Sequence, residues 1–197
     1  EKKGNIRKNC EFIHDWIVSH KYQNSTGLIF CLSTNDTEDV AQCLNEFGFK
    51  AENYHAQMAT ELRHSVQRKW TNGETKIIVA TNAFGMGIDK PDVRFVIHHT
   101  MPKSLEEYYQ ESGRGGRDGK ITHCLLLFNL GDYKRVFRLV SNIEPGVKKN
   151  QTRIDIERKL LSEMTQYGKE EVQCRRVKIL QYFGEHIDRF ACNGMCD

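Results

Sequence analysis

The 197-residue sequence predicts an α/β fold, a mainly parallel sheet flanked by helices, followed by a small all-helical subdomain. Three observations carry that expectation. Short apolar runs of strand length alternate with segments of helical period; those runs are apolar throughout rather than every second residue; and beyond about Leu130 only the helical period remains.

Ile6, Cys10, Ile13 and Ile17 recur at helical spacing and predict a helix reaching about His20, after which Gly27-Leu28-Ile29-Phe30-Cys31 is suited to a buried strand. Val40, Leu44 and Phe47 line a second helix that stops at Gly48. A short strand at Ala51–Tyr54 and a helix over Thr60–Trp70, ended by Gly73, complete that unit. Lys76-Ile77-Ile78-Val79-Ala80 is β-branched and almost wholly apolar, as expected of a strand covered on both faces, and Val93–His98 repeats the pattern. Ser104-Leu105-Glu106-Glu107 fits a capping box opening a helix towards Gln110, and His123–Phe128 is the last strong strand candidate. Right-handed crossovers between parallel strands place ligands at their carboxyl ends. Val136, Leu139, Val140 and Ile143, then Ile154, Ile156, Leu160, Leu161 and Met164, keep the helical period. Glu144-Pro145-Gly146 reads as a turn between helices, and the domain boundary is expected near Asp132, giving 1–131 and 132–197.

With 39% hydrophobic and 28% charged residues the composition is that of a globular protein, and nothing in it suggests disorder. The net charge of +3 leaves nucleic-acid contact to local clusters such as Lys148-Lys149 and Arg175-Arg176-Lys178, whose plainer reading is a solvated face. No apolar run approaches the roughly 20 residues that span a bilayer, and the first residues begin neither a signal nor a transit peptide. A soluble intracellular protein without membrane contact is expected. Seven cysteines, an odd number with Cys31 and Cys43 in apolar periodic segments, fit a reducing compartment.

The chemistry concentrates between Val79 and Asp118. There Ala83-Phe84-Gly85-Met86-Gly87-Ile88-Asp89 precedes Gln110-Glu111-Ser112-Gly113-Arg114-Gly115-Gly116-Arg117-Asp118. A guanidinium carries a permanent charge and a planar donor fork that matches phosphate oxygens, so Arg114 and Arg117 on one glycine-rich loop can neutralise charge developing during phosphoryl transfer. Both motifs follow strands and are expected on the carboxyl edge of the sheet. A triphosphate cradle is missing, because the Gly-Lys pairs at 119–120 and 168–169 are followed by Ile121 and Glu170 rather than Ser or Thr. The arginines are therefore expected to serve a nucleotide held mainly by another lobe.

The residues from Leu28 to Ser33, Tyr54-His55-Ala56, Val79 to Thr81, Asp89 to His98, Tyr108 to Arg114 and Cys174-Arg175-Arg176 resemble the second RecA-like lobe and most of the zinc-binding subdomain of RecQ-family DNA helicases. The paired His98-His99 and the ending from Ala191 to Asp197 look most like the shorter eukaryotic members. The resemblance implies arginine-finger roles for Arg114 and Arg117, with Gln110 and Gly113 setting their loop. It places Asp89 near the nucleotide ribose, and Gly87 with it. Ser33, Asn35, His55, Thr81 and Gly85 fall where related lobes meet the DNA backbone. Taken alone, Gly85-Met86-Gly87 is equally a tight turn, and a lone histidine such as His55 is equally a structural residue. The family usually has alanine at Gly115, so a more mobile loop is expected here.

The resemblance also implies zinc at Cys174, Cys192 and Cys196, three thiolates of the soft type that tetrahedral zinc accepts, in a stabilising rather than catalytic role. Its fourth ligand is expected just beyond Asp197, with His186 as the in-chain alternative and three core cysteines as the metal-free reading.

ATP with magnesium is expected to be bound mainly by the absent first lobe. The implied activity is ATP-dependent 3′ to 5′ DNA unwinding on single-stranded and branched DNA in repair and recombination, nuclear in a eukaryote and cytoplasmic in a bacterium. The chain alone is expected to be inactive. Two alternatives stand beside this: an RNA helicase lobe of the same superfamily, in which histidine usually replaces Gln110 and the cysteine tail is absent, and a non-catalytic, zinc-stapled nucleic-acid-binding module.

Overall fold

The computed structural model describes residues 2–84, 89–141, 151–186, 188, 192, 194 and 195. Helix α1 (Lys2–Ser19) leads into strand β1 (Thr26–Phe30), then α2 (Thr34–Glu46), β2 (Ala51–Tyr54), α3 (Thr60–Thr71), β3 (Ile77–Ala80) and β4 (Val93–His98). Next come α4 (Leu105–Ser112), β5 (His123–Leu126), α5 (Leu130–Ser141), α6 (Gln151–Gly168) and α7 (Arg175–Tyr182). The five strands form one sheet in the order β2-β3-β1-β4-β5, every neighbouring pair parallel. The predicted α/β class therefore holds, element by element.

The chain divides into two compact units. One comprises residues 1–100 and 111–127, the other residues 101–110 and 128–197, so the division falls inside α4.

In the first unit β1 and β3 are buried at every position, which explains why their sequences lack alternation. Alternation persists in a subtler form. Ile29, Ile77, Val79 and Ile97 face a core built with α1 and α2 through Ile13, Ile17, Val40 and Leu44. Leu28, Ile78 and Val96 face the opposite core with Val66, Trp70 and Phe84. Gly27 has no side chain for a packing reason: a Cβ there would lie 2.0 Å from the Phe95 ring, which crosses β1 at that point. β5 differs from its neighbours, since His123 and Cys124 are exposed on an edge strand.

Ser33 caps α2 by accepting the Asp36 N–H at 3.2 Å, and Ser104 caps α4 by accepting the Glu107 N–H at 3.2 Å. Glu107 returns the favour to the Lys103 N–H at 2.8 Å, one residue earlier than in the usual box. In the second unit Leu161, Met164, Tyr167, Val177 and Ile179 are buried, with Tyr108 against Tyr167 at 5.3 Å between ring centroids. The expected turn at 144–146 and Ile143 lie outside the described residues. Among those described, no helix is long and apolar enough to cross a membrane.

Candidate nucleotide and nucleic-acid sites

Parallel strands give the sheet a carboxyl edge, and three of the candidate DNA contacts stand there. Ser33 follows β1, His55 follows β2 and Thr81 follows β3. Asn35, on the first turn of α2, is exposed and shares a 3.4 Å hydrogen bond with the Thr34 hydroxyl. Ser33 and Thr81 are half-buried, and each hydroxyl accepts a local backbone N–H, from Asp36 and at 3.5 Å from Ala83. His55 is buried, its Nε2 lying 3.3 Å from Glu38 Oε1. Gly85 and Gly87 lie outside the described residues.

The arginine loop corrects one expectation. It was to share the carboxyl edge, yet the Gly116 N–H donates to the Val93 carbonyl and the Asp118 N–H to that of Pro91, at 3.0 and 3.3 Å. Val93 is the first residue of β4, so this half of the loop sits at the amino edge. The physical reason is that β4 and β5 are parallel, so the connection between them must end at the amino edge, and the loop is its last part before β5. Asp89, Lys90 and Asp92 likewise stand just before β4, at its amino end.

The loop is also more firmly tied than the glycine at position 115 suggested. A Cβ on Gly115 would meet Thr122 Cγ2 at 2.3 Å, and Thr122 is held by its hydroxyl on the Val93 carbonyl at 2.8 Å. Gly116 has φ +65°, a backbone state that other residues adopt at a cost. Arg94 adds donors to Asp118 and to the Ile121 carbonyl, the latter at 3.3 Å.

Arg117 Nη1 donates to Asp89 Oδ1 at 3.0 Å, so the finger candidate and the ribose candidate meet. Their side chains are 39% and 80% exposed, and such a pair is worth at most about 1 kcal/mol, little enough for a phosphate to displace. Arg114 is half-buried, and its pKa is pushed below the usual guanidinium range by burial, opposed by the Glu111 charge and reinforced by Arg117. Glu111 thus stands against Arg114 and Asp89 against Arg117, one carboxylate to each guanidinium. Gln110 is exposed on the last turn of α4, and Gly113 is exposed just past its end.

Two features escape sequence reasoning. Glu111 is buried and its Oε2 lies 2.9 Å from Nε2 of the fully buried His98. Lys90 is also hidden, its side chain 10% exposed, with Nζ 3.0 Å from Asp92 Oδ1, 3.1 Å from the Thr71 carbonyl and 5.6 Å from the centre of the Trp70 ring. The Asp92 carboxyl lies below its usual range although burial raises it, because Lys90 and the Thr26 hydroxyl stabilise the charged form. Lys90 thus fastens the segment carrying Asp89 to the end of α3.

Of the metal candidates, Cys174 stands half-buried at the start of α7 and Cys192 is buried. His186 is exposed, and Cys196 lies outside the described residues. Thiols suit zinc, yet among the described residues no three His, Cys, Asp or Glu side chains are placed to share an ion.

Comparison with known proteins covers both parts of the chain. Residues 6–119 match the helicase conserved C-terminal domain, and residues 130–197 match the RecQ zinc-binding family. ATP-dependent DNA helicase Q1 of Pongo abelii is 43% identical over 95% of this chain and 27% of its own length. RecQ-like DNA helicase BLM of Xenopus laevis is 45% identical over 87% of this chain and 12% of its own. The chain thus spans about a quarter or less of these curated relatives. Among solved structures, a DEAD box protein of Methanococcus jannaschii superposes with a TM-score of 0.56 at 30% identity, over 67% of this chain and 36% of the other. The E. coli DEAD-box protein SrmB gives 0.58 at 22% identity over 76% and 87%, a likeness of fold alone.

Proposed function

This chain belongs to the helicase conserved C-terminal domain family, in its RecQ branch, and from that membership we propose that it is the C-terminal motor lobe of an ATP-dependent 3′ to 5′ DNA helicase. Residues 1–131 form the lobe and 132–197 the zinc-binding subdomain. The nucleotide, ATP with magnesium, is held mainly by the first lobe of the same protein. Arg114 and Arg117 meet its phosphates, Gln110 and Gly113 shape their loop, and Asp89 with Gly87 faces the ribose. Ser33, Asn35, Thr81 and Gly85, with His55 behind them, take the backbone of single-stranded or branched DNA.

The observation that supports this reading is the arginine loop, where Arg114 is partly desolvated and Arg117 lies 3.0 Å from Asp89 in an exposed pair that a phosphate can displace. A fixed cationic site of this kind earns its effect only when charge accumulates on the phosphate, as in the transition state. Zinc on Cys174, Cys192 and Cys196 contributes to folding of the tail. DNA rather than RNA is favoured by the relatives above 40% identity, which are named as DNA helicases. The protein acts in the nucleus, in repair and recombination.

The test uses the full-length protein. DNA-stimulated ATP hydrolysis is expected to fall on the order of a thousandfold in Arg114→Ala, and duplex DNA to be unwound in preference to duplex RNA. Undiminished hydrolysis in Arg114→Ala overturns the finger role, and equal unwinding of RNA overturns the substrate. The isolated chain is expected to show no ATPase.

A further inference from the structure

The pair His98 and Glu111 has no part in the functions assigned so far. The two side chains are 0% and 8% exposed, and the 2.9 Å contact between them joins the last residue of β4 to the last turn of α4. A buried ionisable pair is a weak source of stability, because apolar residues of the same volume do as well or better. Its position is more informative. On one side the His98 ring stacks on Phe30, centroids 5.5 Å apart and planes 23° apart, and the His99 N–H donates to the Phe30 carbonyl at 2.9 Å. Phe30 ends β1, directly before the turn that carries Ser33 and Asn35. On the other side the Arg114 N–H donates to the Glu111 carbonyl at 3.2 Å, and the Glu111 carboxylate is the anion that offsets the Arg114 charge.

We propose that Glu111 is a positioning residue that, through His98 and Phe30, ties the setting of Arg114 to the strand end that contacts nucleic acid. The proposal rests on the motor-lobe reading. Without DNA the carboxylate is shared between His98 and Arg114 and holds the guanidinium back. When a phosphate backbone engages the β1 turn, Phe30 and His98 shift together, Glu111 stays with His98, and Arg114 is released towards the nucleotide. The path is a continuous set of packed contacts, and the shift it requires is of Glu111 between His98 and Arg114.

The experiment measures ATPase turnover and KM of the full-length protein, with and without single-stranded DNA. Its variants are Glu111→Gln, which keeps shape and an acceptor for His98 but loses the charge; His98→Phe, which keeps the stack and loses the donor; and His98→Gln, which restores a donor. Stimulation by DNA is expected to fall about tenfold in the first two, with KM for ATP and DNA affinity within about twofold of the parent, and to recover partly in His98→Gln. Parent-like stimulation in Glu111→Gln and His98→Phe overturns the proposal, as does an equal loss in His98→Gln. Should one variant not melt cooperatively, the other decides. Arg114→Ala separates the layers: if it loses hydrolysis while the Glu111 and His98 variants do not, only the coupling fails, and if it retains hydrolysis the motor-lobe reading fails first.

Discussion

The two edges of the sheet are built differently although the same strands end on both. At the carboxyl edge the candidate residues follow β1, β2 and β3 and are local: a hydroxyl that caps its own helix, an amide on the first turn of that helix, a histidine against α2. At the amino edge the candidates immediately precede β4 and β5, and long-range contacts hold them: Arg117 to Asp89, Arg94 to Asp118, Lys90 to the end of α3. A site made of neutral donors at strand ends suits a backbone that must be gripped and let go. A crosslinked cationic loop suits a group whose charge appears briefly and must be met without rearrangement.

The sharpest way to break that contrast is to cut each edge alone in the full-length protein. Arg117→Ala is expected to lower ATP turnover on the order of a thousandfold while single-stranded DNA affinity stays within about twofold. Ser33→Ala with Asn35→Ala should do the reverse, weakening DNA about tenfold with its salt dependence unchanged, since neither side chain is charged, and with turnover at saturating DNA largely kept. If Arg117→Ala and the Ser33 and Asn35 changes move both quantities equally, the edges are not separate sites.

Lys90 sharpens the comparison from the structural side. Lys90→Ala leaves Asp92 and the Thr71 carbonyl without their cation, at a cost of about 1–3 kcal/mol in unfolding free energy, and should reduce turnover several-fold with DNA affinity unchanged. Lys90→Met, which keeps the stem over Trp70, should recover part of the stability and none of the turnover. An equal loss of DNA binding would show that the clamp serves the whole sheet.

The smallest effect is on pH. The hydrogen bond from Arg94 holds the Asp118 carboxyl below its ordinary value of 3.8, so the folded form favours the ionised carboxylate. The stabilisation is complete above that ordinary value and is lost as pH falls through the lowered one. Thermal melts of the parent and Arg94→Ala should therefore differ at about pH 7 and converge at acid pH. A gap that persists in acid would mean that Arg94 acts through its carbonyl contacts instead.

Much of the fold is legible in the sequence because burial on both faces leaves β1 and β3 as apolar runs, with β4 interrupted by Arg94, and α4 opens where its Ser-Leu-Glu-Glu cap predicts. Which edge a loop serves is not legible in this way. Ser33, His55 and Thr81 stand at the carboxyl edge because they closely follow strands, whereas Arg117 does not, because its loop closes the connection between two parallel strands and lies just before β5. Glu111 and Lys90 are hidden for another reason. A charged residue in a polar motif reads as exposed, and only the three-dimensional partners His98 and Trp70 reveal that these two are not. The thiols at 174 and 192 carry a soft-metal signature in their type alone, independent of any fold.

The bare position in β1 has a further consequence. Because the Phe95 ring occupies the volume a methyl group at residue 27 would need, even alanine must displace an aromatic side chain from the centre of the sheet. In a population survey of inherited variants, or a library of every single change, codon 27 should tolerate no replacement except alongside a smaller residue at 95. That paired tolerance would be a genetic signature of two strands lying in register.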